Sequence, residues 1–198
     1  MSNPRRSSTA TPDSLGLLLR DLDRLAHSAA RESGKTVAEG RAEVLKAIEV
    51  LEFAVGLQDS DVGGAMDVSR GVRCEYLREP LGVTVGITPF NFPAMVPMWM
   101  FANAIAAGNT FVLKPSEKDP SASLFLAEVL HEAGVPAGVF NVVHGDKVAV
   151  DRILEHPDIA AVSFVGSTPI APASQHAVRC WWRTRSWRVV RRRTPSGS

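Results

Sequence analysis

Asn91 stands between two phenylalanines and two prolines in the run Thr88-Pro89-Phe90-Asn91-Phe92-Pro93. A carboxamide held by such stiff neighbours is the kind of donor that stabilises a developing oxyanion, although Asn is also a favoured cap for a following helix. A second polar cluster is Lys114-Pro115-Ser116-Glu117-Lys118. There an ammonium can donate to, and a carboxylate accept from, a vicinal diol such as a ribose; Glu117 also suits an ordinary capping box. The third cluster, Phe164-Val165-Gly166-Ser167-Thr168, puts a glycine and two hydroxyls where a helix would begin. Free backbone N–H groups and the positive end of a helix dipole would there meet a phosphate. The run is not the G-x-G-x-x-G fingerprint, because Thr168 and Ala171 occupy the later glycine positions.

Two other candidates carry less. Ser33-Gly34-Lys35-Thr36 resembles the end of a P-loop, but position 29 is Ala and no strand precedes it, so it reads as a turn between helices. Cys74 lies among charged residues with no nearby His and reads as a structural thiol.

The elements that must position these clusters follow from hydrophobic spacing. Leu18, Leu22 and Leu25 predict an amphipathic helix over 15–31, broken at Ser33-Gly34, and a second helix runs over 37–57. Gln58 to Gly71 reads as a loop and Arg73 to Arg78 as a strand. The glycine- and β-branched-rich run Leu81 to Thr88 is typical of a buried strand. Helices over 94–107, 121–133 and 148–155 alternate with strands over 110–113, 139–143 and 160–165, and a further helix is expected after Gly166. This alternation predicts an α/β fold with a parallel sheet covered by helices and ligands at the carboxyl ends of its strands. Each of the three clusters falls at such an end.

Hydrophobic residues make up 45% of the 198 and charged residues 22%, which excludes wholesale disorder. The net charge of +1 hides an asymmetry. Pro172–Ser198 holds seven Arg, three Trp and no acid, leaving 15 basic and 21 acidic residues, a net −6, in Met1–Ala171. Two distant cysteines build no disulfide framework and fit a reducing compartment. The polar first residues lack the apolar core of a secretory signal. The longest apolar run, Phe92 to Ala107, is interrupted by Pro93, Pro97 and Asn103 and falls short of the ~20 residues of a membrane span. A cytoplasmic protein without membrane partners is the expectation.

Taken together, the three clusters resemble the aldehyde dehydrogenase superfamily. GVTVGITPFNFPAMVPMWMFANAIAAGNTFVLKPSEKDPSAS, Gly82 to Ser123, is most similar to its CoA-acylating methylmalonate-semialdehyde dehydrogenase branch, and FNVVHGDKVAVDRILEHPDIAAVSFVGSTPIA, Phe140 to Ala171, continues the likeness. Ser33 to Gly56 resembles the branch more weakly, and both Phe90 and Ala171 favour it. The resemblance implies a Rossmann-like NAD-binding domain, incomplete, over residues 33–171, preceded by a poorly matched helical region over 1–32 and followed by a basic, disordered tail over 172–198. It implies that Thr88 and Phe90 line the nicotinamide side of NAD. Lys114 and Glu117 would bind the adenosine ribose with Lys118 beside them, Gly166 and Ser167 would meet the pyrophosphate, and Asn91 would donate to the oxyanion of a thiohemiacetal.

The family's nucleophilic cysteine has no counterpart here, because the likeness stops at Pro172 and Cys180 lies in unrelated surroundings. The downstream glutamate on the nicotinamide ribose, the first strands and the oligomerisation elements are likewise unmatched. The expectation is a truncated product with an out-of-frame tail. The parent would be a homo-oligomer oxidising malonate or methylmalonate semialdehyde with NAD and CoA, while this chain would be inactive and would not assemble normally. A non-acylating, succinate-semialdehyde-type parent is the alternative. A nucleic-acid-binding role for the Arg/Trp tail ranks lower, since the acidic body would repel a polyanion.

Overall fold

The structure, a computed structural model, describes residues 12–57, 63–70 and 72–166. Three helices come first: α1 (Pro12–Arg20), α2 (Leu22–Ser33) and α3 (Val37–Gly56). The single helix expected over 15–31 is two helices that meet at Asp21. The pivot sits where Arg20 reaches both the Asp21 carboxylate, 2.5 Å away, and Glu132 at 2.6 Å. Gly34 ends α2 with a φ of 74°, a left-handed conformation that only glycine adopts without cost. Thr36 then opens α3 through a complete capping box: its hydroxyl accepts from the Glu39 N–H, and the Glu39 carboxylate accepts from the Thr36 N–H. Ser33 to Thr36 is therefore an inter-helix turn, as its sequence implied.

β1 (Gly63–Ser69) and β2 (Val72–Leu77) form an antiparallel ribbon separate from the main sheet. β1 corrects the expected loop over 58–71. Its side chains are mostly exposed, so no buried alternation marks it, and pairing with β2 rather than local preference makes it a strand.

The remaining elements alternate as expected: β3 (Val83–Ile87), α4 (Met95–Ala106), β4 (Thr110–Lys114), α5 (Ser121–Glu132), β5 (Phe140–Val142), α6 (Lys147–Glu155) and β6 (Ile159–Phe164). The four strands make one wholly parallel sheet in the order β5-β4-β3-β6. The chain thus winds outward in one direction from β3 through β4 to β5, then returns to place β6 on the other side of β3. That reversal between β3 and β6 is a topological switch point, where an open α/β sheet leaves a crevice at its carboxyl edge.

Strand alternation divides the core in two. Phe111 and Leu113 point to the face covered by α4 and α5, with α1, α2 and α3 packed behind. Phe101 joins them, its ring centroid 4.8 Å from that of Phe140 and 6.3 Å from that of Phe111. Gly86 belongs to this face, and a Cβ there would lie 2.5 Å from the Phe111 ring. Val85, Ile87 and Ile159 point to the opposite face, toward Val150, Ile153 and Leu154 of α6. Among the described residues no helix is long and apolar enough to cross a membrane.

Candidate functional site

β4, β3 and β6 are neighbours and parallel, so the three polar clusters emerge side by side at one edge of the sheet. Two backbone hydrogen bonds extend the ladder into the loops. Thr88 N–H donates to the Lys114 carbonyl at 3.2 Å, and Val165 N–H donates to the Ile87 carbonyl at 3.1 Å. Thr88, Lys114 and Val165, which precedes Gly166, are thereby held level with one another. Gly166 is exposed at the end of the described chain. Ser167 and Thr168 lie outside the described residues, as does the helix expected after them, Cys180 and the basic tail.

Thr88 is buried, and its Oγ1 has no hydrogen-bond partner among the described residues. Lys114 is also buried, with its Nζ 3.2 Å from the exposed carboxylate of Glu117. The Glu117 carboxyl is held below the usual range, first by its own backbone N–H and then by the Lys114 ammonium. It is ionised at neutral pH and able to accept from hydroxyls while Lys114 donates. Glu117 is not part of a capping box: α5 begins at Ser121, whose N–H and hydroxyl both donate to the Glu32 carboxylate of α2. Lys118 is near enough to Glu117 to help hold its carboxyl down, and it also reaches the other cluster. Its Nζ sits 4.6 Å from the centroid of the Phe90 ring, joining the second cluster to the first.

Phe90 and Asn91 are exposed in the loop just beyond the carboxyl end of β3. Asn91 does not cap α4, whose N-cap position is Ala94. The free amides of that helix instead donate to a residue of α3: Ala94 N–H and Met95 N–H reach Glu43 Oε1 at 2.9 and 3.1 Å. Glu43 Oε2 in turn accepts from Lys35 Nζ at 2.5 Å, and Lys35 also donates to the Asn91 carbonyl at 2.8 Å. The same ammonium lies 4.7 Å from the centroid of the Phe92 ring. Sequence reasoning missed Lys35 and Glu43, since neither lies in the clusters and their partners are 51 to 56 residues away. The only local signal was a Lys in a turn, which points nowhere by itself.

Asp119 was missed as well. It is 2% exposed beneath the Lys114–Lys118 loop, and neither carboxyl oxygen makes a well-formed hydrogen bond among the described residues. Burial, and then the nearby Glu32, push its carboxyl up to about 7.

Cys74 lies on β2, in the ribbon apart from the four-stranded sheet. Among the described residues no cluster of His, Cys, Asp and Glu is suited to hold a metal.

A parallel sheet with a switch point, a buried lysine paired to a carboxylate at one strand end and an exposed glycine at another are features of a doubly wound α/β domain of the dinucleotide-binding class. The match is more specific than the class. Residues 13–177 fit the aldehyde dehydrogenase family model, and the chain belongs to that family. It is 50% identical over 156 residues to a malonate-semialdehyde dehydrogenase of Pseudomonas aeruginosa, covering 78% of this chain and 31% of that one. It is 50% identical over 152 residues to the mitochondrial acylating methylmalonate-semialdehyde dehydrogenase of Arabidopsis thaliana, covering 76% and 25%. The fold superposes with a TM-score of 0.86 on a crystal structure described as a putative methylmalonate-semialdehyde dehydrogenase from Sinorhizobium meliloti complexed with NAD. That match has 47% identity and covers 91% of this chain and 37% of the other. The chain thus spans about a third of the length of these relatives.

Proposed function

We propose that this chain carries the NAD-binding portion of a CoA-acylating semialdehyde dehydrogenase acting on malonate or methylmalonate semialdehyde. The observation that carries the reading is the level alignment of Thr88, Lys114 and Val165, just before Gly166, at the switch point, with Lys114 held buried against Glu117. The branch is supported by identities of 42–52% to relatives bearing those names, against 26–34% for the other similar structures. That difference favours the acylating reading over a succinate-semialdehyde type.

The residues suit NAD. Glu117 would accept from the hydroxyls of the adenosine ribose while Lys114 donates to them, and the shallow exposure of Glu117 leaves its oxygens free to do so. The unpartnered Thr88 hydroxyl and the Phe90 ring would line the nicotinamide side. Gly166, without a side chain, lets the pyrophosphate approach backbone N–H groups, with Ser167 beside it. When bound, NAD supplies the acceptor for the aldehyde's hydride. Asn91 would donate its Nδ2–H to the aldehyde oxygen as negative charge grows there.

Attack on the aldehyde needs a thiolate, and CoA would accept the acyl group in the whole enzyme, a cytoplasmic homo-oligomer. Cys74 stands on the ribbon strand β2, away from the crevice edge, so these 198 residues alone are expected to bind NAD without turnover. Calorimetric titration of NAD into the purified chain tests this. Lys114→Met is expected to weaken binding about tenfold, the loss of one or two hydrogen bonds to a charged donor. Absence of binding by the unaltered chain, or equal affinity of the variant, overturns the assignment.

A further inference from the structure

Lys35 and Glu43 belong to the helical N-terminal region, not to the sheet, yet they end at the loop that carries Asn91. Three features make their arrangement more than a surface ion pair. Glu43 is buried, at 2% exposure, and Lys35 half-buried, at 14%, so the pair is largely shielded from water. Both Glu43 oxygens are used, one by the Lys35 ammonium and the other by two N–H groups at the start of α4. Lys35 is used twice more, by the Asn91 carbonyl and by the face of Phe92. The chain Ala94/Met95–Glu43–Lys35–Asn91 therefore closes a ring of hydrogen bonds around the bend Asn91–Met95. On the far side of Asn91, Lys118 holds Phe90 in the same fashion.

An exposed carboxamide on a loop gains nothing from being near a reaction unless its peptide plane is fixed, because a donor must be aimed before charge develops. Lys35 grips the carbonyl of Asn91 itself, one bond from the Cα that carries the amide. We propose that Lys35 and Glu43 are positioning residues for Asn91, a lysine–glutamate strut from α2–α3 that fixes the orientation of the oxyanion donor. The inference rests on the reading of Asn91 given above, but its geometry can be tested without turnover.

The two residues divide the task differently. Glu43→Gln keeps an oxygen for the α4 amides but turns an NH2 group toward the Lys35 ammonium, so the bond that anchors Lys35 beneath Asn91 is lost while the α4 amides keep their acceptor. Met at position 35 removes that link and leaves the Glu43 charge unpaired. Arg at position 35 keeps the charge and the donors. The experiment is NMR on the full 15N-labelled chain, reading the order parameter of the Asn91 Nδ2 group and the exchange rates of the Ala94 and Met95 amides. In Glu43→Gln the Asn91 side chain is expected to fall below an order parameter of about 0.6 while the Ala94 and Met95 amides keep their protection. In Lys35→Met the side chain loosens equally, and Lys35→Arg restores it. An Asn91 order parameter unchanged in Glu43→Gln overturns the proposal. So does an equal rise in exchange along β4, which would make the pair a general support of the fold. Should Lys35→Met not fold, Glu43→Gln and Lys35→Arg still decide the matter. NAD titration of the same unaltered sample reports separately on the cofactor reading, since Lys114 and Glu117 are not part of the strut.

Discussion

Asp119 should make the stability of this chain fall as the solution becomes neutral, and Asp119→Asn should abolish that fall. The carboxyl is buried, with Glu32 and Glu43 raising its pKa and the Ser116 hydroxyl and the Lys35 charge partly countering the shift. Its pKa is raised from 3.8 to about 7 in the folded chain. The folded state therefore binds a proton more tightly than the unfolded state does. Stability from this group is complete below about pH 4 and declines as pH rises through about 7. A shift of roughly three units corresponds to about 4 kcal/mol, an upper value because water and a small movement of Lys35 would relieve part of it. Asn is nearly the same shape, cannot ionise, and offers N–H donors to the two neighbouring glutamates. Urea unfolding of both proteins at half-unit steps from pH 4 to pH 8 provides the assay. The variant should match the parent near pH 4, draw ahead of it between pH 4 and 7, and exceed it by about 2–4 kcal/mol at pH 8. Parallel curves for the two proteins would refute the buried, protonated state of Asp119.

Further substitutions test the packing that holds the site. A Cβ at Gly40 would lie 2.6 Å from the backbone oxygen of Ala26, so Gly40→Ala should push α2 from α3. The net loss should be about 1–2 kcal/mol by thermal unfolding despite the better helix former. Phe111→Ala empties the centre of the larger core beside Phe101 and Phe140 and should cost about 3–5 kcal/mol in denaturant unfolding. Asn109 Oδ1 accepts from the Leu81 and Gly82 N–H groups and its Nδ2 donates to the Ala104 carbonyl, tying the entry of β3 to the end of α4. Asn109→Ala should therefore lower stability by about 1–3 kcal/mol and raise amide exchange at Leu81 and Gly82 first.

The parts of this fold that could be read from the sequence are those whose causes are local. β3 is a short β-branched run with Gly86 set where Phe111 must pass, α4 stops where Gly108 takes a φ of 86°, and Thr36 caps α3 through Glu39 three residues on. The polar clusters were visible for the same reason: each strand of a parallel sheet delivers its own junction to the same edge. What escaped was decided across the chain. β1 is a strand because β2 lies beside it, and Asp21 ends α1 where Arg20 meets both it and Glu132. The most consequential case is the start of α4. From sequence, Asn91 is either an oxyanion donor or a helix cap, and nothing within the loop separates the two. Glu43, 51 residues earlier, takes the amides that a cap would take. Once a buried carboxylate from another helix satisfies those donors, the Asn91 side chain has no structural duty at the helix end. Exposed, and with its backbone carbonyl held by Lys35, that side chain is available for the role proposed above.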